Sequence, residues 1–267
     1  VGTDFVLPKR KGADMVTKFE VMVKDDPKLL AQAGAYIFTR AAQAAVKERG
    51  GFAVAVSGGS TPRPMHRMLA AEPYRSEILW QKTSFFWVDE RCVPVTDEAS
   101  NYGAAKADLL GKVPIPVGQI HPMPVEMAPD DGALKYERVI SDFFRLGEGH
   151  VPPFDLIFLG IGVDGHTASL FPGQKVLKEK KRWVVAVKGG QPNVDRLTMT
   201  FSLLNQARQI VFLVSGKRKT AVLKTLFEDK EGHLPAGMIR PLDGNLIWLV
   251  DRDAAAGLPK EFIYGNK

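Results

Sequence analysis

A single cysteine, Cys92, stands among 267 residues. That excludes an internal disulfide and fits a reducing compartment such as the cytoplasm. No apolar run approaches the ~18 residues that a membrane span requires, so no membrane partner is expected. The opening stretch VGTDFVLPKRKGADMVTK holds no apolar core of the kind a secretory signal needs. Histidine is sparse. His66, His121, His150, His166 and His233 are scattered, and neither H-x-x-x-H nor C-x-x-C spacing occurs. No metal is expected on that ground. Zinc-finger spacing, an RNP-type aromatic motif and a long basic helix are all missing, so a net charge of +6 does not point to nucleic acid. Short basic clusters at Lys9–Lys11, Lys178–Arg182 and Lys217–Lys219 read as solvated faces. A small anionic substrate accounts for the positive excess equally well.

What the chain does hold is a series of short apolar runs. FAVAVS at Phe52–Ser57, SFFWV at Ser84–Val88, Phe154–Leu159, WVVAV at Trp183–Val187, Ile210–Val214 and LIWLV at Leu246–Val250 do not alternate in polarity. Strands buried on both faces read this way. Helix-like stretches lie between them at Pro27–Arg49, Pro62–Ala71, Asn101–Leu110, Ala133–Leu146 and Lys217–Phe227. Gly50-Gly51 stops the first, and Ser100 precedes the third as a cap. The order predicts a three-layer α/β/α Rossmann-like sandwich with a mostly parallel sheet. No helix-length segment separates Trp183–Val187 from the alternating RLTMT, which predicts a smaller antiparallel β subdomain. Residues 1–26 read as an N-terminal extension and 27–267 as one domain.

Three loops carry chemistry. The first strand runs into Gly58-Gly59-Ser60-Thr61-Pro62. Glycine permits close approach and positive φ; Thr61 suits an N-cap and Pro62 the first helical position. The Gly59, Ser60 and Thr61 amides would then face an anion at a helix N-terminus. An ordinary glycine-rich turn has the same residues, and both readings stand at this point. It is neither a P-loop, lacking G-x-x-x-x-G-K-[ST], nor a nucleophile elbow, because Pro62 replaces the last glycine.

The second loop is Asp89-Glu90-Arg91 after SFFWV. Ligands of open α/β sheets bind outside the carboxyl ends of strands, and Arg91 can grip an anion bidentately. Glu90 reads as a local ion-pair partner. Cys92 beside it, without a base, reads as a small apolar filler.

The third, GIGVDGHTASLFPG at 160–173, contains a literal G-x-G-x-x-G. A dinucleotide site needs a full helix after the glycines, yet Phe171-Pro172-Gly173 ends any helix within two turns. It also needs an acidic residue at the end of the next strand, where Lys188 stands. No cofactor is therefore expected. Asp164 and His166 instead suggest a proton-transfer loop. Such a base contributes roughly 10²–10⁴-fold, although a lone histidine in a glycine turn is often a hydrogen-bonded structural residue.

Taken together, SGGSTPRP at 57–64, VDERCVP at 88–94, SNYG at 100–103, LGIGVDGHTASLFPG at 159–173, RLTMTF at 196–201 and SGKRKTAVL at 215–223 resemble the 6-phosphogluconolactonase family. The resemblance runs from about residue 27 to the C-terminus. It implies a fold like that of glucosamine-6-phosphate deaminase and ribose-5-phosphate isomerase. It also implies hydrolysis of 6-phospho-D-glucono-1,5-lactone to 6-phosphogluconate in the oxidative pentose phosphate pathway, without a cofactor. His166 then matches the base and Asp164 its companion. Gly58, Gly59, Ser60 and Thr61 match the phosphate loop, Arg91 the Asp-Glu-Arg arginine, and Lys219 the lysine of the G-x-x-K-A segment. Thr220 replaces the usual Ala there, and Lys217 competes with Lys219. Lys188 and Arg196 match basic positions flanking the RLTMT strand. Two alternatives remain. Glucosamine-6-phosphate deaminases carry a glutamate five residues after the histidine, where this chain has Phe171, and usually a Tyr in place of Arg91. A non-catalytic sugar-phosphate sensor would be expected to have lost His166 and to carry a DNA-binding motif, for which residues 1–26 are too few. The sequence leaves the oligomeric state open.

Overall fold

A computed structural model of the chain describes residues 3–6, 18–145, 147, 150–229 and 232–259. Five of the six apolar runs form the middle of one eight-stranded sheet. Its spatial order is β1 (Thr3–Val6), β2 (Lys18–Lys24), β11 (Asn245–Asp251), β10 (Gln209–Val214), β7 (Leu156–Leu159), β3 (Phe52–Val56), β4 (Thr83–Trp87) and β6 (Ile120–His121). All neighbours pair in parallel except β1 with β2. Every residue of β3, β4 and β7 is buried, as unbroken apolar runs require. The segment set apart as an N-terminal extension, 1–26, supplies β1 and β2, so the sheet reaches into it. The reason is register: Phe19 and Val21 pair with Leu246 and Trp248 and are buried.

The sixth run behaves differently. β8 (Val184–Gly189) pairs antiparallel with β9 (Val194–Met199), which pairs with β5 (Asp89–Arg91) in a separate three-stranded sheet. The smaller antiparallel element is as expected, whereas placing WVVAV among the doubly buried parallel strands is corrected: most of β8 is only half-buried. Asp89–Arg91 is also corrected, from loop to strand. Val88 makes the transfer. Its N–H donates to Val56 O at 3.0 Å in the large sheet, and its carbonyl accepts from Met199 N at 2.7 Å in the small one.

The helices are α1 (Pro27–Arg49), α2 (Pro62–Leu69), α3 (Tyr74–Glu77), α4 (Asn101–Ala105), α5 (Pro129–Phe144), α6 (Phe201–Leu204), α7 (Thr220–Glu228) and α8 (Arg252–Ala255). In α1, Asp26 caps the start by accepting from Leu29 N at 2.8 Å, and Gly50 closes the end at φ 77°. Its buried side, Leu30, Ala31, Gly34, Ala35, Phe38, Ala42 and Ala45, follows the helical period. Phe38 packs on Phe52, Phe85 and Phe158. Burying each such side chain contributes ~1.5–3 kcal/mol.

The order of connections positions the site. From β3 the chain steps to β4 and then β6 in one direction. It returns to β7 on the other side of β3 and continues to β10 and β11 the opposite way. β3 and β7 are therefore neighbours whose following loops diverge. A crevice opens at the carboxyl end of such a switch point.

Candidate active site

A cleft of about 700 Å³ lies over that switch point. The loops after β3, β7 and β10 line it, and the small sheet contributes Asp89, Arg91 and Arg196. Five lysines and arginines (Arg91, Arg196, Lys217, Arg218 and Lys219) face one carboxylate, Asp89, in its lining. Such a surface selects an anion.

The loop after β3 places Gly58, Gly59, Ser60 and Thr61 in the cleft wall. Gly59 sits at φ 91°, a conformation that glycine adopts without strain. At Gly58 the Asn101 side chain fills the space that a Cβ would need. Among the described residues, the Gly59, Ser60 and Thr61 amides have no hydrogen-bond acceptor. They lie just ahead of α2, with Pro62 in its first turn. Thr61 is not a side-chain cap, contrary to expectation. It already has helical dihedrals (φ −64°, ψ −43°), so its hydroxyl makes no capping bond. Three unpaired amides at a helix N-terminus form an anion cradle.

The loop after β7 fixes the imidazole. His166 Nδ1 lies 2.5 Å from Asp164 Oδ1, and His166 N donates to the same oxygen at 3.2 Å. Gly162 N donates to His166 O at 2.8 Å, and a Cβ on Gly162 would collide with both side chains. Burial opposes charge on Asp164, but His166 and the hydrogen bonds it provides outweigh that and hold the carboxyl below its ordinary range. A carboxylate only accepts, so Nδ1 carries a proton, and in the neutral ring Nε2 is the nitrogen with the lone pair. His166 lines the cleft, and the more exposed Asp164 stands behind it. The Phe171 ring lies 4.7 Å from the imidazole and leaves no second carboxylate there. Ala168, also in the wall, holds a left-handed φ of 49°.

Lys219 Nζ donates to Ile161 O at 2.5 Å, joining the basic loop after β10 to the histidine loop. Burial, aided by Arg218 and opposed by Asp164, lowers its pKa. Lys217 also lines the cleft but is exposed and unanchored by any such bond. Asp251 shapes this loop, accepting from Ser215 Oγ at 2.5 Å and from Gly216 N at 3.0 Å.

On the small sheet, Arg91 stands opposite Arg196 in register, and both line the cleft. Arg196 is 3% exposed; burial, then the charge of Arg91, lowers its pKa against Asp89 and Glu90. Lys188 is not brought to the cleft. It is an exposed residue of β8 opposite Asp195, and its carbonyl accepts from Gln174 Nε2. Glu90 does not act as an ion-pair partner of Arg91. Only 2% exposed, it accepts from the amides of Arg91, Asn101 and Tyr102 at 2.7–2.8 Å. Burial raises its pKa, against those amides.

Asn101 and Asp89 are cleft residues to which sequence reasoning gave no role. Asn101 Nδ2 donates to Asp89 O at 2.8 Å, and Asp89 Oδ2 accepts from Ser169 Oγ at 2.6 Å. The SNYG stretch was the available signal. Among the described residues, no group of three or more His, Cys, Asp or Glu could hold a metal ion, and no helix is long and apolar enough to cross a membrane.

The family model described as glucosamine-6-phosphate isomerases/6-phosphogluconolactonase matches residues 25–248. A 6-phosphogluconolactonase of Synechocystis is 44% identical over 218 residues, covering 80% of this chain and 88% of that protein. The Rattus norvegicus 6-phosphogluconolactonase is 38% identical, covering 84% and 87%. Among solved structures, 6-phosphogluconolactonase from Trypanosoma brucei superposes with a TM-score of 0.78 at 28% identity, covering 91% of this chain and 100% of that one. The switch-point cleft, the anion cradle and the Asp-Gly-His loop thus sit on a chain that belongs to the glucosamine-6-phosphate isomerase/6-phosphogluconolactonase family.

Proposed function

We propose that the cleft hydrolyses 6-phospho-D-glucono-1,5-lactone to 6-phosphogluconate, with His166 as the base that activates water. The reading rests on one observation above all. An imidazole whose Nδ1 is tied to a carboxylate at 2.5 Å faces the same cleft as three unpaired helix-terminal amides. The 6-phosphate docks on the Gly59, Ser60 and Thr61 amides, with Lys219 adding charge. Each hydrogen bond to a charged group contributes on the order of 1.5–3 kcal/mol. Anchoring the phosphate holds lactone C1 near the imidazole, and positioning is most of the catalysis.

Nε2 of His166 takes a proton from water, and the resulting hydroxide oxygen bonds to C1. The carbonyl electron pair moves to oxygen, giving a tetrahedral oxyanion that needs donors. When that pair returns, the bond from C1 to the ring oxygen breaks. The ring oxygen takes the bonding pair and the proton that His166 holds. The new carboxylic acid then ionises to solvent. Asp164 keeps the tautomer fixed and stabilises the transient imidazolium.

Phe171 favours this reading over deamination of glucosamine 6-phosphate. An apolar ring against His166 transfers no proton, so the ammonia released from that sugar should stay at background. His166→Ala should lose most lactone turnover while keeping the affinity for a phosphate ligand, measured by calorimetry. The assay needs fresh lactone, because the ring opens unaided. Unchanged turnover removes His166 from the chemistry, and wild-type turnover at the spontaneous rate revives the sensor alternative. A reducing compartment such as the cytoplasm suits the single half-buried Cys92, whose thiol burial pushes up to about 11.

A further inference from the structure

Two guanidiniums in the cleft touch no carboxylate directly, although Asp89 and Glu90 are near enough to favour charge on Arg196. Arg91 of β5 and Arg196 of β9 are direct cross-strand partners. Like charges directly opposite each other destabilise a sheet, and burying an unpaired charge costs more. Neither forms an ion pair among the described residues. Their bonds go mostly to neutral carbonyls. Arg91 Nη1 donates to Ala99 O at 2.5 Å, while its buried Nε has no partner. Arg196 donates from Nε to Gly189 O at 2.8 Å and from Nη2 to Pro192 O at 3.1 Å. Its Nη1 has only a long 3.5 Å contact to Ser169 Oγ. Asp89, the one carboxylate of the lining, already accepts from Ser169 at 2.6 Å. A pair built this way is completed by an anion that arrives with the ligand.

The location says which anion. Arg196 Cζ lies 5.6 Å from the centre of the Phe171 ring, and the His166 imidazole lies 4.7 Å from the same ring. Arg196, with Arg91 opposite it, thus shares a neighbour with the base, whereas the unpaired amides of Gly59–Thr61 already offer a phosphate its place. A ligand with one phosphate fills only one of these sites. Hydrolysis of a lactone creates a second negative charge at C1, first as the oxyanion and then as the carboxylate. We infer that Arg91 and Arg196 bind this C1 anion, not the 6-phosphate, and so stabilise the transition state and retain the carboxylate product. The inference rests on the lactonase reading and names the anion that Arg91 was expected to grip.

Two ligands that differ only at C1 test it: 6-phosphogluconate, with a carboxylate, and D-glucitol 6-phosphate, with an uncharged hydroxymethyl. Calorimetry on Arg91→Gln should show 6-phosphogluconate weakened at least tenfold and glucitol 6-phosphate within twofold of wild type, with kcat down at least tenfold. Lys219→Met should weaken both ligands alike. Arg91 is only partly buried, so its variant carries the test if Arg196→Lys fails to fold. Equal weakening of both ligands in Arg91→Gln would assign the pair to the phosphate and overturn the inference. Unchanged affinity for 6-phosphogluconate would overturn it as well. Absence of lactone turnover by the wild-type protein would instead sink the lactonase reading, and the ligand comparison would still decide what the arginines hold.

Discussion

His166 illustrates how little a residue does alone. Its chemistry depends on Asp164 fixing one ring nitrogen so that the other stays a base, and on Gly162 leaving room for both. Asp164→Asn keeps the shape but replaces an obligate acceptor with a group that also donates, so the tautomer is no longer enforced. Turnover should fall about 100-fold with KM nearly unchanged, a loss in the range of general-base assistance. Steady-state kinetics on fresh lactone checks it; a rise in KM with kcat intact would move Asp164 to ligand binding. The sequence placed this pair two residues apart in a glycine-rich loop, and that was enough to nominate it. Lys188 was nominated only by the family resemblance and lies outside the cleft. Sequence position gives a residue's neighbours along the chain, whereas its face on a strand depends on pairing register.

Among the elements, the transfer at Val88 has the largest consequence. By leaving the large sheet there, the chain turns Asp89–Arg91 into an edge strand of the small sheet and brings Arg91 against Arg196. Glu90 secures the arrangement by accepting from the first amides of α4 as well as from its own neighbour. Glu90→Ala leaves those buried amides unsatisfied, so unfolding free energy should drop by about 2–4 kcal/mol. Urea melts measure it, and a loss below about 1 kcal/mol would show that Glu90 does not hold β5 to α4. The apolar runs made the parallel strands legible, because doubly buried strands need no alternation. β5 was not legible: three polar residues read as a loop, and only the partner strand β9, a hundred residues on, makes them a strand. Thr61 failed as a cap for a related reason. The turn before α2 is already helical at that residue, and composition alone does not fix where a helix begins.

The whole molecule carries a pH dependence outside the cleft. His66, on the buried side of α2, is 3% exposed with an unpartnered Nε2. Burial, against the pull of nearby Asp108, lowers its pKa from 6.5 to about 4. Because the unfolded chain binds the proton more readily, the folded state loses stability as pH falls between those values. At ~1.4 kcal/mol per pH unit the loss by pH 4 is about 3 kcal/mol. Denaturant melts at pH 7 and pH 4.5 should show the drop in the wild type and a smaller one in His66→Met; equal drops would clear His66 of the effect.

By itself the sequence determined the kinds of element and the chemical inventory. Five of six unbroken apolar runs are strands of the large sheet, Gly50 stops α1, and a histidine two residues from an aspartate in a glycine turn is equipped for proton transfer. Tertiary structure alone decided what meets what. The reversal of strand order between β3 and β7 opens the crevice, and the crossing from one sheet to the other aims two arginines into it. Hydrogen-bonded register between strands far apart in sequence sets both, and that pairing energy belongs to the folded sheets, not to any local stretch of chain.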